Sequence, residues 1–404
     1  MLPRPNLSFT LPSIHDNNKL DCRIYHPVRS NQPLTPSDPS WPRHAAVVAH
    51  PYAPLGGSYD DPIVLLVTNT LLHLGFVVAT FNFRGASSSN GRTSWTSKPE
   101  RADYMSVVGF LVYYLHYLGA PRNELRPIEA DENSTPTLLL AGYSYGAMVT
   151  LQLPPLDSYL SHFASPATHT AFADIRLRAQ HLAEEQVIMF TTPASPRKSL
   201  GMRVGGNEDI SPKARDKQRA HSPDPEEKIR RGVRDILSRS KFIHRRRNIP
   251  PVDQGTGGDI EVPCLEHVNN LIRFRTAYLL VSPPLGFVTN LATMSFTMSF
   301  SNLWAKKKKG GPAKNHEVDR KREEGEVEAE AKLTANPTLA IYGDQDSFLS
   351  MKKMRDWATQ LSGAEGSQFR YVEVSTAGHF WIEHGVAHEL REAVYTFSAR
   401  LVKG

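Results

Sequence analysis

Five short apolar runs, free of charge except at their ends, are separated along this chain by longer stretches of helical periodicity. That alternation constrains the fold more than any other feature. The runs are HAAVVAHP (residues 44–51), GFVVATFNFRG (75–85), TPTLLLAGYS (135–144), AYLLVSPPLG (277–286) and PTLAIYGDQD (337–346). Runs of this kind suit strands buried on both faces of a sheet. FRYVEVSTAGH (369–379) reads as a last strand, and LSFTLPS and LDCRIYHP, joined by the turn HDNNKL, as the first two. Between them, residues 60–74 carry Ile63, Leu66, Val67, Leu71 and Leu72, and residues 100–118 carry Met105, Val108, Leu111, Val112 and Leu115, both at helical spacing. A helix opening at YGAMVTLQL is cut short by Pro154 and Pro155, and further helices are expected over 350–361 and 386–401. Strand–helix alternation implies an α/β fold: a mostly parallel central sheet with helices on both faces and right-handed crossovers. Such sheets carry their chemistry outside the carboxyl ends of the strands.

The alternation pauses twice. Residues 157–265 hold one helical pattern, FADIRLRAQHLAEEQ, and then a basic segment at about 195–258. Residues 197–247 contain sixteen Lys/Arg against seven Asp/Glu, a net of +9 within a chain of net charge +6, so the remainder is mildly acidic. The segment is poor in aromatics and is expected to be largely disordered, with one helix at EEKIRRGVRDILSRSK. Residues 305–333 form a second insertion, charged in both signs and of low complexity, read as a surface loop. The core is thus expected in two parts, 1–156 and 266–404, with 157–265 as a cap or insertion.

Two cysteines, Cys22 and Cys264, exclude a disulfide framework and a four-cysteine metal site, and fit a reducing compartment. MLPRPNLSFTLPSIHDNN lacks the apolar stretch of a secretory signal, and no apolar run reaches the length of a spanning helix. A cytoplasmic location is expected, with a nuclear one as the alternative that the basic runs suggest.

Chemistry-bearing side chains fall at three strand ends. Ser144 lies between Gly142 and Gly146 where an apolar run meets a helix. A serine on that turn adopts a strained backbone, and the glycines let the chain reverse without Cβ clashes. A hydroxyl attacks only when a base removes its proton, and His379 in STAGHFW follows the last strand. Asp346, at the end of IYGDQD, can orient that imidazole, with Asp344 as the competing acid and a strand-end cap as its alternative role. The order Ser…Asp…His is the one such an elbow uses. Oxyanion donors are expected from the backbone N–H of Tyr145 and from the loop after VVAH, where Pro51 has no N–H and Tyr52 is the choice.

HPYAPLGGSYDDP, FNFRGASSSNG, GYSYGA, YGDQDSFLS and AGHFW, in that order over about two thirds of the chain, resemble the α/β-hydrolase superfamily. They are most similar to its small-esterase branch, related to dienelactone hydrolase and prolyl oligopeptidase. The resemblance implies an α/β-hydrolase fold, Ser144 as nucleophile, Asp346 as acid and His379 as base. It also implies oxyanion amides at Tyr52 and Tyr145, no cofactor and no metal. The expected reaction is hydrolysis of a carboxylic ester or thioester through an acyl-enzyme. The expected partner is a small-molecule ester with an apolar acyl group, walled by Pro283, Pro284, the Met/Phe stretch after them and residues 151–159. ASSSNG departs from the family where a glycine is usual.

Other residues receive plainer readings. Arg84 is expected in structural ion pairs with Glu100 or Asp103, and His50 as a packing residue rather than a second base. His384 and His388 lack acidic or cysteine partners for a metal. KFIHRRRNIP and Lys306–Lys309 are read as solvated insertion rather than a nucleic-acid surface, since no aromatic residues interleave them. LATMSFTMSFSNLWAKKKK is read as a lid over the site, with peripheral membrane contact as the alternative. The competing function is a catalytically weak hydrolase-like scaffold that binds an acidic partner or nucleic acid through its basic insertion.

Overall fold

A computed structural model describes residues 2–29, 32–33, 43–94, 96–119, 135–191, 225–247, 263–285 and 330–403. The expected disorder of 195–224 and 248–258, the proposed lid with its lysine run, and the Met/Phe stretch after Pro284 lie outside these residues.

Eight strands form one sheet. They are β1 (Leu7–Pro12), β2 (Lys19–Tyr25), β5 (Ala45–Ala49), β6 (Val77–Phe81), β7 (Thr137–Tyr143), β8 (Arg275–Val281), β9 (Thr338–Gly343) and β10 (Phe369–Val374). The short hairpin of β3 (Val28–Arg29) and β4 (Gln32–Pro33) stands apart. The spatial order is β1-β2-β6-β5-β7-β8-β9-β10. β2 runs antiparallel to both neighbours, and every other pairing is parallel. Order and direction together are those of the α/β-hydrolase fold, as expected. β5, β6, β7 and β9 are buried at every position, which is why they read as unbroken apolar runs.

Helices cover both faces. α1 (Pro62–His73) and the C-terminal helix (Val386–Lys403) bury Val64, Val67, Leu71, Leu390 and Val394 on one side. Asp61 caps α1, its carboxylate accepting the amides of Ile63 and Val64, with Pro62 at the first helical position. α2 (Lys98–Leu118), α3 (Tyr145–Leu151) and the helix Met351–Gly363 cover the other side.

Within the stretch expected as a cap, α5 (Ala171–Thr191) is part of this second layer and buries Ile175, Ala179, Leu182 and Ala183 in the same core as α2. Phe163 sits over Gly109 of α2, where any Cβ would collide with its ring. α6 (Pro225–Arg247), longer than the helix expected from the periodicity, docks on α5 through Ile229, Val233, Ile236 and Leu237. Its Glu226 accepts from Arg178 at 3.0 Å and from Thr10 of β1 at 2.7 Å.

Two expectations are corrected. The end of the charged insertion is not surface: residues 330–335 are helical, Leu333 is fully buried, and the Lys332 ammonium caps the end of α3 by donating to the carbonyls of Thr150 and Leu153. Residues 151–159 do not wall a pocket with their large side chains. Leu153, Leu156 and Tyr159 are buried in the main core, the last two on a short helix, α4 (Leu156–Leu160), that forms directly after the prolines.

Candidate active site

Ser144 ends β7 with a φ of 53° and ψ of −116°. That backbone is uncommon for a residue with a Cβ and persists only where the surroundings enforce it. Here the enforcement is local. The Ser144 N–H donates to the carbonyl of Val281 on the adjacent strand at 2.8 Å, while its own carbonyl accepts from Met148 and begins α3. A Cβ on Gly142 would overlap the backbone of Gly146, and one on Gly146 would lie 2.5 Å from the Ala49 carbonyl oxygen. Strand, serine and helix therefore approach as closely as they do only because both flanking residues are glycine.

The next two strands deliver the partners. Asp346 follows β9 and is almost completely buried, its Oδ1 accepting the amide of Phe348 at 2.9 Å. Its Oδ2 lies 2.7 Å from His379 Nδ1. On the far side of the ring, His379 Nε2 lies 2.8 Å from Ser144 Oγ. The three side chains predicted from separate strand ends thus meet in one hydrogen-bonded line. Asp344, the competing acid, is turned elsewhere: its Oδ1 accepts the Thr376 amide at 2.7 Å and braces the turn after β10.

The loop carrying His379 is held to the sheet from below. The Tyr143 hydroxyl donates to the His379 carbonyl at 2.8 Å, so the residue before the serine grips the backbone of the histidine. Trp381 Nε1 donates to Ser282 Oγ at 3.1 Å. Ser282, Thr376 and Trp381 all take positive φ, 45°, 64° and 57°, which makes this rim the most strained part of the sheet. Burial, together with the Asp61 and Asp346 carboxylates, pushes the Tyr143 phenol well up, so it stays a donor.

Tyr52 and Tyr145 come together as expected, their rings 5.2 Å apart. The N–H of each is without an acceptor among the described residues, as oxyanion donors must be. The Tyr52 carbonyl instead accepts from Leu55 and Gly57 and folds the loop into a 3₁₀ turn (Ala53–Leu55). Burial and the nearby Glu100 carboxylate push the Tyr145 phenol up.

Sequence reading missed the aromatic rim. The Phe348 ring lies 4.5 Å from that of His379, Phe380 packs edge-on to both, and Ile382 is 83% exposed beside them. HFW and DSF carried a signal, since an exposed aromatic next to a candidate base has no core to fill. Arg84 pairs with Asp103 at 2.6 Å and Asp16 at 2.9 Å. Glu100, its other expected partner, accepts from Ser94 instead. Burial would lower the Arg84 pKa, but the two carboxylates outweigh it and raise it. Pro283 is buried and Pro284 half-buried. His384 and His388 are exposed at the entry to the C-terminal helix, and no metal-binding cluster occurs among the described residues. No helix among them is long and apolar enough to cross a membrane.

No family model and no curated protein matches the chain. Solved structures similar to it include an α/β serine hydrolase homologue from Coxiella burnetii, at 15% identity over 98% of this chain and 99% of that one, with a TM-score of 0.43. An α/β serine hydrolase without a lid from Xanthomonas campestris is 16% identical over 99% and 96%, with a TM-score of 0.43. An esterase from Pyrococcus furiosus is 11% identical over 98% and 91%, with a TM-score of 0.44.

Proposed function

We propose that the chain is a serine hydrolase acting on carboxylic esters or thioesters of small molecules. The observation that carries the reading is the unbroken line from Ser144 Oγ through the His379 ring to Asp346 Oδ2, with spacings of 2.8 and 2.7 Å. In this reading His379 Nε2 takes the Ser144 proton as Oγ attacks the acyl carbon. Asp346 keeps the Nδ1–H tautomer and offsets the imidazolium charge. The amides of Tyr52 and Tyr145 hold the developing oxyanion. His379 then protonates the leaving alkoxide as the C–O bond breaks, leaving an acyl-serine that water cleaves by the same route. The exposed Phe348, Phe380 and Ile382 support an apolar substrate face at the mouth.

The test is a series of p-nitrophenyl esters of increasing acyl length, with fluorophosphonate labelling, on the wild-type protein and Ser144→Ala. The expected result is turnover and labelling that both vanish in the variant. Labelling that persists in Ser144→Ala overturns the assignment.

A second reading is favoured by α6, where Lys228, Arg230, Arg231 and Arg234 are exposed on a helix firmly docked at its start. That face suits an acidic partner. Salt-dependent binding to nucleic acid without ester turnover would select the scaffold reading.

A further inference from the structure

His50 takes no part in the steps above, yet two contacts specify the state of its ring. The backbone N–H of Phe83 donates to Nε2 at 2.8 Å. A ring nitrogen that accepts from an amide carries no proton, so the proton of the neutral ring sits on Nδ1. Nδ1 lies 2.6 Å from the Pro51 carbonyl oxygen and donates to it. The residue is wholly buried, with its ring 5.0 Å from that of Phe83. Burial holds the imidazole down to about 4, against a smaller upward pull from the Pro51 carbonyl, so this tautomer persists at neutral pH.

The Pro51 carbonyl and the Tyr52 N–H are the two ends of one peptide. A trans peptide is planar and points them in opposite directions, so holding the oxygen aims the hydrogen. A donor on the oxygen also polarises the amide and makes its N–H a stronger donor. Gly57 presses on the same carbonyl: a Cβ there would overlap the Pro51 oxygen. The other end, the Tyr52 N–H, has no acceptor among the described residues.

We propose that His50 is a positioning residue of the oxyanion site. Its Nδ1–H clamps the Pro51–Tyr52 peptide so that the Tyr52 N–H is held ready for the oxyanion, and the Phe83 amide sets the tautomer that makes the clamp possible. The inference rests on the Ser144 reading and extends it: the end of β6 fixes a ring at the end of β5, and the ring fixes the amide.

Two variants separate clamp from packing. In His50→Gln the side-chain oxygen reaches the Nε2 position and accepts from Phe83, but the Pro51 carbonyl loses its donor. In His50→Asn the side-chain NH₂ takes the Nδ1 position and keeps the clamp, while the Phe83 amide is left unpaired. For p-nitrophenyl ester hydrolysis, His50→Gln is expected to lower kcat about 10- to 100-fold with KM little changed, the signature of a contact made in the transition state. His50→Asn is expected to recover kcat about tenfold or more over His50→Gln, even where its Tm is the lower of the two. The proposal is overturned if His50→Gln keeps kcat within about threefold of wild type, or if kcat follows Tm across the two variants. Wild-type protein that neither turns over ester nor reacts with fluorophosphonate removes the hydrolase reading, and this inference with it.

Discussion

Lowering the pH from 7 to 5 should weaken this fold well before any carboxylate is protonated. Burial holds three imidazoles, those of His26, His44 and His50, down to about 4, with Arg275 adding to the effect at His44. Each is locked in a neutral role: His26 Nε2 meets the Tyr114 hydroxyl at 2.7 Å, and His44 Nδ1 accepts the Thr137 amide at 3.0 Å. In the unfolded chain the same rings titrate near 6.5. Between these values the unfolded state binds more protons than the native one, so stability rises with pH across the window and falls on acidification. From pH 7 to 5 each ring contributes a loss of ~1.8 kcal/mol, and the three together ~5.5 kcal/mol, on the scale of a whole domain's stability. Burial lowers the pKa of His116 too, in the same sense. Urea unfolding at pH 7, 6 and 5 in one buffer series reads the slope directly. His44→Asn, whose side-chain oxygen can still accept from Thr137, should flatten the loss by about one third. A profile flat from pH 7 to 5, or an unaltered slope in His44→Asn, would refute the linkage argument.

Two further outcomes follow from the site. Asp346→Asn should leave the fold intact but favour the wrong His379 tautomer, lowering kcat roughly 10³- to 10⁴-fold and slowing fluorophosphonate labelling in step. Tyr143→Phe removes the hydroxyl from the His379 carbonyl; steady-state kinetics should show kcat down about tenfold with KM held, and an unchanged kcat would show that the loop needs no such tie.

The sheet was legible because fully buried parallel strands leave an unbroken apolar signature, and β5, β6, β7 and β9 each do. The spatial order of the strands leaves no such trace, since it depends on which crossover lies on which face. Ser144, Asp346 and His379 could be nominated because their types are few at strand ends, and the structure draws them together. The supports could not be nominated. Tyr143 and His50 act on main-chain carbonyls, which every residue has, so no partner type reveals them. Lys332 was read with its charged neighbours, although its ammonium caps α3 from within the core. Leu156 and Tyr159 were assigned to a pocket because a proline pair suggested a loop; a short helix instead turns them inward.

The left-handed backbones at Ser144, Ser282, Thr376 and Trp381 have a consequence for anyone seeking a more heat-resistant variant. Thr376 is the β-branched member of the set, and its side chain faces water while only its amide braces Asp344. Glycine there would release about 1 kcal/mol of stored conformational energy without surrendering that brace. The same exchange at Ser282 would also discard the oxygen that anchors Trp381. Robustness and activity can therefore be improved together at one position of the rim but are set against each other at its neighbour, which makes those two residues the natural place to measure how far they trade.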